Sequence, residues 1–78
     1  MDRETFPETI LEALDEHWET TGERFLALSM LMAKMEALYE EAPTPSEWHS
    51  ALKSLLDRRL IQRRVTRDGV TELAKVPI

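Results

Sequence analysis

Residues 44–69 read Thr44-Pro-Ser-Glu-Trp-His-Ser-Ala-Leu-Lys-Ser-Leu-Leu-Asp-Arg-Arg-Leu-Ile-Gln-Arg-Arg-Val-Thr-Arg-Asp-Gly69. The opening is a helix start. Thr44 stands at the N-cap, Pro45 at N1 where its missing N–H costs nothing, and Glu47 at N3 where its carboxylate can reach back to the cap. Trp48 at N4 is placed to staple against Pro43. Trp48, Leu52, Leu55 and Leu56 recur at helical spacing and predict the core face. His49, Ser50, Lys53, Ser54 and Asp57 fall opposite. The helix is expected to end near Arg58 or Arg59.

Beyond this helix the pattern predicts a β-hairpin. Residues 61–66 and 70–76 flank Arg67-Asp68-Gly69, and Asp-Gly tolerates the positive φ of a tight turn. Two registers are open. A two-residue loop sets Val65 against Glu72. A four-residue loop sets Val65 against Val70 and Arg63 against Glu72, which satisfies more side chains. Pro77 ends the second strand.

Upstream, Ala42-Pro-Thr-Pro45 breaks the chain. Before it, residues 23–41 predict a long second helix. Phe25, Ala27, Leu28, Leu31, Met32, Met35, Leu38 and Tyr39 share one broad face. Leu26, Met30, Ala33 and Ala37 make a second apolar stripe. That stripe is either covered by the first helix or used for self-association, and we take it as a homodimer interface. The three internal methionines read as core filler. The first helix is expected to run from a Thr5–Glu8 capping box to just before Thr20-Thr21-Gly22, with Ile10, Leu11, Leu14 and Trp18 inward. Thr20 and Glu23 suggest a second box. Trp18 and Trp48 read as core anchors.

The chain has 78 residues, 42% of them hydrophobic, with no cysteine and two histidines. This allows one domain, residues 1–78, with one small core. Disulfides and thiolate metal sites are excluded. Neither His17 nor His49 sits in a metal-binding pattern, so no cofactor is expected. His17 reads as a boundary residue and His49 as a surface one. The acidic start and the absence of a long apolar run argue against a signal peptide or a membrane span, so a cytoplasmic protein is expected. The only glycines are Gly22 and Gly69, there is no cysteine nucleophile, and nothing resembles a catalytic triad. The chain is read as not an enzyme.

Charge is divided. Residues 1–44 carry eleven acids against Arg3, Arg24 and Lys34; residues 45–78 carry Glu47, Asp57, Asp68 and Glu72 against seven bases. A net charge of −5 therefore conceals a basic carboxyl half able to meet phosphate or carboxylate groups.

The run Ser46 to Arg64, followed by a basic hairpin, resembles the third helix and wing of winged helix-turn-helix domains over residues 44–76. The resemblance implies a mainly α fold with a C-terminal β-hairpin, a winged-helix-like three-helix domain; the rival is a three-helix bundle with an appended hairpin. That family usually has Gly where Arg59 stands, so either Arg59 makes a different turn or the helix runs a residue longer. The resemblance further implies binding to duplex DNA. Ser46, His49, Ser50, Lys53 and Ser54 would be the contacts from the helix, and Arg63, Arg64 and Arg67 those from the wing. This makes the chain a small DNA-binding regulatory protein. The competing reading is a protein–protein interaction module or inhibitor, which docks through its acidic first helix or its basic hairpin.

Overall fold

The computed structural model describes residues 5–77; Asp2, Arg3 and Glu4 of the charge tally lie outside them. Three helices and a three-stranded antiparallel sheet follow one another as α1 (Phe6–Thr21), β1 (Leu26–Ala27), α2 (Leu28–Leu38), α3 (Pro45–Asp57), β2 (Ile61–Val65) and β3 (Thr71–Lys75). The sheet order is β1-β3-β2.

α1 starts where expected, with Thr5 at the N-cap, but without the capping box and with a later end. The Thr5 side chain makes no cap hydrogen bond, because Thr5 has φ −94° and ψ 7° rather than the extended backbone a cap requires. Instead the Thr9 hydroxyl donates to the Thr5 carbonyl at 3.0 Å. The helix continues through Thr21 and closes at Gly22, whose φ of 77° lets its N–H donate to the Trp18 carbonyl. No Thr20–Glu23 box forms. The Thr21 hydroxyl takes the Glu23 N–H at 3.1 Å while donating to the His17 carbonyl.

The largest correction concerns residues 23–41. Helix occupies only 28–38, and Leu26-Ala27 is a strand pairing with Leu73 and Glu72 of β3. The cause is tertiary. As a helical residue Leu26 would share the outward stripe of Met30; as a strand residue it is 2% exposed within the core. Pairing also satisfies backbone groups of β3 that β2 does not reach. Leu26 is therefore no part of a dimer surface. Met30 is 57% exposed and Leu38 is exposed too, so neither fills the core, whereas Met35 is buried and Met32 packs against the buried cluster.

α3 begins with both bonds of its capping box. Glu47 N–H donates to Thr44 Oγ1 at 3.2 Å, and Thr44 N–H to Glu47 Oε1 at 3.1 Å. The helix ends at Asp57 with Arg58 as its C-cap, in line with the expected end near Arg58 or Arg59. Arg59 N–H donates to the Leu56 carbonyl and Leu60 N–H to the Leu55 carbonyl, a Schellman closure with Arg59 at the left-handed position. Its φ is 58°, the one positive φ at a non-glycine residue among those described. A left-handed L-residue costs roughly 1–2 kcal/mol. Part of that is returned on substitution by glycine, which is itself more disordered when unfolded. Arg59→Gly is expected to stabilise the protein by about 0.5–1 kcal/mol. Thermal unfolding checks this: Tm should rise for Arg59→Gly and not for Arg59→Ala.

The hairpin takes neither expected register. Val65 lies opposite Thr71, Arg64 opposite Glu72 and Arg63 opposite Leu73. Thr66 N–H donates to the Val70 carbonyl and Gly69 N–H to the Thr66 carbonyl, so the loop is the three residues Arg67-Asp68-Gly69. Gly69, at φ 82°, supplies the left-handed residue that such a loop needs. The Thr66 hydroxyl accepts from Val70 N–H and holds the bulge. A shift of one residue turns each side chain to the other face of the strand. Glu72 consequently meets Arg64, not Arg63.

The core joins every element. Phe6, Ile10 and Leu14 of α1, Leu31 and Met35 of α2, Trp48, Ala51 and Leu55 of α3, Leu26, Ile61 and Leu73 of the sheet, and Tyr39 form one cluster. Phe6 meets Tyr39 and Trp48 edge-on, at centroid distances of 5.7 and 4.9 Å. Trp18 is only half-buried and stands outside this cluster, under the Arg24 guanidinium. Lys75 Nζ lies 3.4 Å from Asp15 Oδ1, tying the end of β3 to α1.

Candidate functional site

α3 lies against the inner face of the sheet and leaves an open cleft of about 340 Å³. His49, Leu52, Lys53, Leu56 and Asp57 line it from α3, Arg63, Thr71 and Leu73 from the hairpin, and Leu28 from the start of α2. The helical repeat accounts for one wall. Residues 49, 52, 53 and 56 occupy one side of α3, next to the side that Trp48, Ala51 and Leu55 bury. Strand alternation accounts for the other, because Arg63, Leu73 and Thr71 face the same way. The floor is leucine. The rim carries two permanent cations, Lys53 and Arg63, against one carboxylate, Asp57.

Of the residues read from the sequence as DNA contacts, three meet here: His49, Lys53 and Arg63. Ser46 and Ser50 are exposed and Ser54 half-buried, and none of the three lines the cleft; Ser46 shares the outer side of α3 with Lys53, seven residues on, while Ser50 and Ser54 lie further round the helix. Arg67 is exposed at the hairpin loop.

Arg64 is placed quite differently. It projects from the opposite face of the sheet. There its Nε donates to Glu72 Oε1 at 2.7 Å, and its guanidinium carbon lies 3.8 Å from the centre of the Phe25 ring. Arg24 joins the same cluster. Its guanidinium carbon is 5.3 Å from the Trp18 ring centre and 5.8 Å from that of Phe25, and its Nη2 donates to Gln62 Oε1 at 3.2 Å. An aromatic face attracts a guanidinium through its quadrupole, so Arg64 is held by both its partners.

Leu28, Leu52, Leu56, Asp57, Thr71 and Leu73 line the cleft without a sequence signal that marks them as site residues. Helical periodicity places Leu52 and Leu56 in the core, and only their half-burial reveals the cleft. Leu28 carries only an apolar helical signal, and its place at the cleft follows from the pairing of β1 with β3, which sets the start of α2.

Chemically, Lys53 and Arg63 can pair with phosphate or carboxylate oxygens, His49 can exchange hydrogen bonds, and the leucines can receive apolar groups. Among the described residues, no group of three or more His, Asp or Glu side chains is placed to hold a metal ion. No described helix is long and apolar enough to cross a membrane. Comparison with protein-family models, with curated proteins and with solved structures gives no match.

Proposed function

We propose that the protein is a winged-helix-type DNA-binding regulator, in which the exposed side of α3 enters the major groove and the β2–β3 hairpin follows the backbone as a wing. One observation carries the reading: α3 and the hairpin flank a single cleft and each brings a permanent cation, Lys53 and Arg63, to its rim. The element order helix, strand, helix, helix, strand, strand supports the same assignment. Phosphate contacts from Lys and Arg position such a domain, and His49, Ser46 and Ser50 on α3 are the groups within reach of base edges. Arg67 at the loop is the outermost wing contact.

The acidic remainder opposes duplex at long range, so binding is expected to be tightest at low salt and to weaken as salt rises. The test is an NMR titration of the labelled protein with mixed-sequence duplex at about 20 mM salt, where the screening length is more than 20 Å. Shifts concentrated on α3 and residues 61–71 support the proposal. No shift under these conditions overturns it.

A homodimer belongs to this reading, since two copies would present two third helices to a palindromic site. Met30, Ala33 and Ala37 are exposed on the outer face of α2 and supply an apolar surface for it. Sedimentation equilibrium should give a dimer for the native chain and a monomer for Met30→Glu. A native monomer at 100-micromolar concentrations removes this part.

A further inference from the structure

We propose that the free edge of β2 takes up an extended, acidic segment of another polypeptide as a fourth strand of the sheet. The sheet order leaves β2 unpaired on one side. The two hydrogen bonds that bracket the hairpin show which backbone groups that side offers. Thr66 N–H donates to the Val70 carbonyl, and Val76 N–H to the Leu60 carbonyl. Antiparallel pairing alternates, so the residues of β2 bonded to β3 are Gln62 and Arg64. Ile61, Arg63 and Val65 turn their N–H and C=O groups outward.

Ile61 is buried, but Arg63 is exposed and Val65 is 62% exposed. Among the described residues, no hydrogen bond reaches the backbone of either. These two residues offer four outward backbone groups, which is enough to seat a short strand.

Charge selects the occupant. Arg63 projects toward the cleft, Arg64 toward the other face, and Arg67 stands at the loop. Pairing β2 with a second copy of itself about a two-fold axis at residue 63 or at residue 64 would set that arginine directly opposite its own counterpart, and like charges placed opposite one another destabilise a sheet. The same arginines favour a strand with carboxylates. On the α3 side, its side chains would stand beside Arg63 and the leucine-floored cleft. On the other side they would pass Arg64, which Glu72 and the Phe25 ring already hold, so Arg63 is the cation left for the strand to pair with.

The proposal does not rest on DNA binding. A duplex can pair with the arginines, but its backbone has no N–H to give the outward carbonyls of Arg63 and Val65. Strand addition therefore has a signature that a polyanion lacks.

The experiment uses the full labelled chain and a capped heptapeptide alternating threonine and glutamate. At saturation, amide exchange at Arg63 and Val65 is expected to slow by about tenfold or more. The same peptide N-methylated at alternate residues keeps its charge and loses its donors, and it should not bind. Val65→Pro removes an outward N–H without breaking a bond to β3, and should weaken the peptide about fivefold, whereas Val65→Ala should change it by less than about twofold. Unchanged exchange at Arg63 and Val65, equal binding by the N-methylated peptide, or no binding at millimolar peptide overturns the proposal. The N-methylated peptide decides the matter even if the proline variant does not fold.

Discussion

Lys53, Arg63 and Arg67 replaced together by alanine are expected to lower duplex affinity about 100-fold, at roughly 1 kcal/mol for each cation–phosphate pair removed. The dependence of log affinity on log salt should become shallower by about 3, because each phosphate neutralised by a cation releases close to one counterion. Arg64→Ala is the internal control. Its guanidinium is committed to Glu72 and to the face of Phe25, away from the cleft. Affinity should therefore change by less than about threefold, while stability falls by about 1 kcal/mol or less. Fluorescence anisotropy with labelled duplex at several salt concentrations separates the two effects. An equal loss for Arg64→Ala and for Arg63→Ala would show that the cleft is not the binding face.

Phe6→Ala is expected to cost about 3–5 kcal/mol, the range for truncating a buried aromatic side chain. Phe6 is 3% exposed and lies edge-on to Tyr39 and Trp48 together. It joins the start of α1 to the end of α2 and the first turn of α3, so truncating it loosens the packing among all three helices. In a domain of this size, each kcal/mol moves Tm by roughly 4–8 °C, and the variant should unfold at least about 12 °C below the native chain. Phe6→Leu retains most of the buried area but not the ring–ring interactions, each worth about 0.5–1.5 kcal/mol, and should lie between the two. Urea unfolding followed by tryptophan fluorescence, to which Trp18 and Trp48 both contribute, and by circular dichroism measures both. A loss below about 1 kcal/mol for Phe6→Ala would mean that the aromatic cluster does not hold the helices together.

A cationic residue at a Schellman turn and a cationic residue on the hairpin look alike in a sequence, yet they do different things here. Arg59 bears backbone strain at φ 58°, Arg63 reaches the cleft, and Arg64 stacks on Phe25. Only the register distinguishes the last two. Composition shows that the carboxyl half is basic, and helical spacing places His49 and Lys53 on the outward part of α3. Neither shows that the cations of α3 and of the hairpin share a cleft, because that depends on Arg63 pairing with Leu73 rather than with Glu72.

Local chemistry is readable where a few neighbouring residues satisfy one another. The Thr44–Glu47 box and the positive-φ glycine of the hairpin loop need no partner from elsewhere in the chain, so their residue types announce them. The Thr5–Glu8 capping bonds and the end of α1 are less readable, since a cap signal competes there with the path the chain takes into the core. Residues 25–27 illustrate the limit. Their helical periodicity is genuine, but β3 has an open edge beside them, and burying Leu26 as a strand outweighs a further helical turn. Apolar patterning and turn residues thus determine where segments begin and what local shape they favour, through interactions spanning a few residues. Strand register, the third strand and the meeting of Lys53 with Arg63 come from packing between distant segments, where backbone pairing and buried area override local preference.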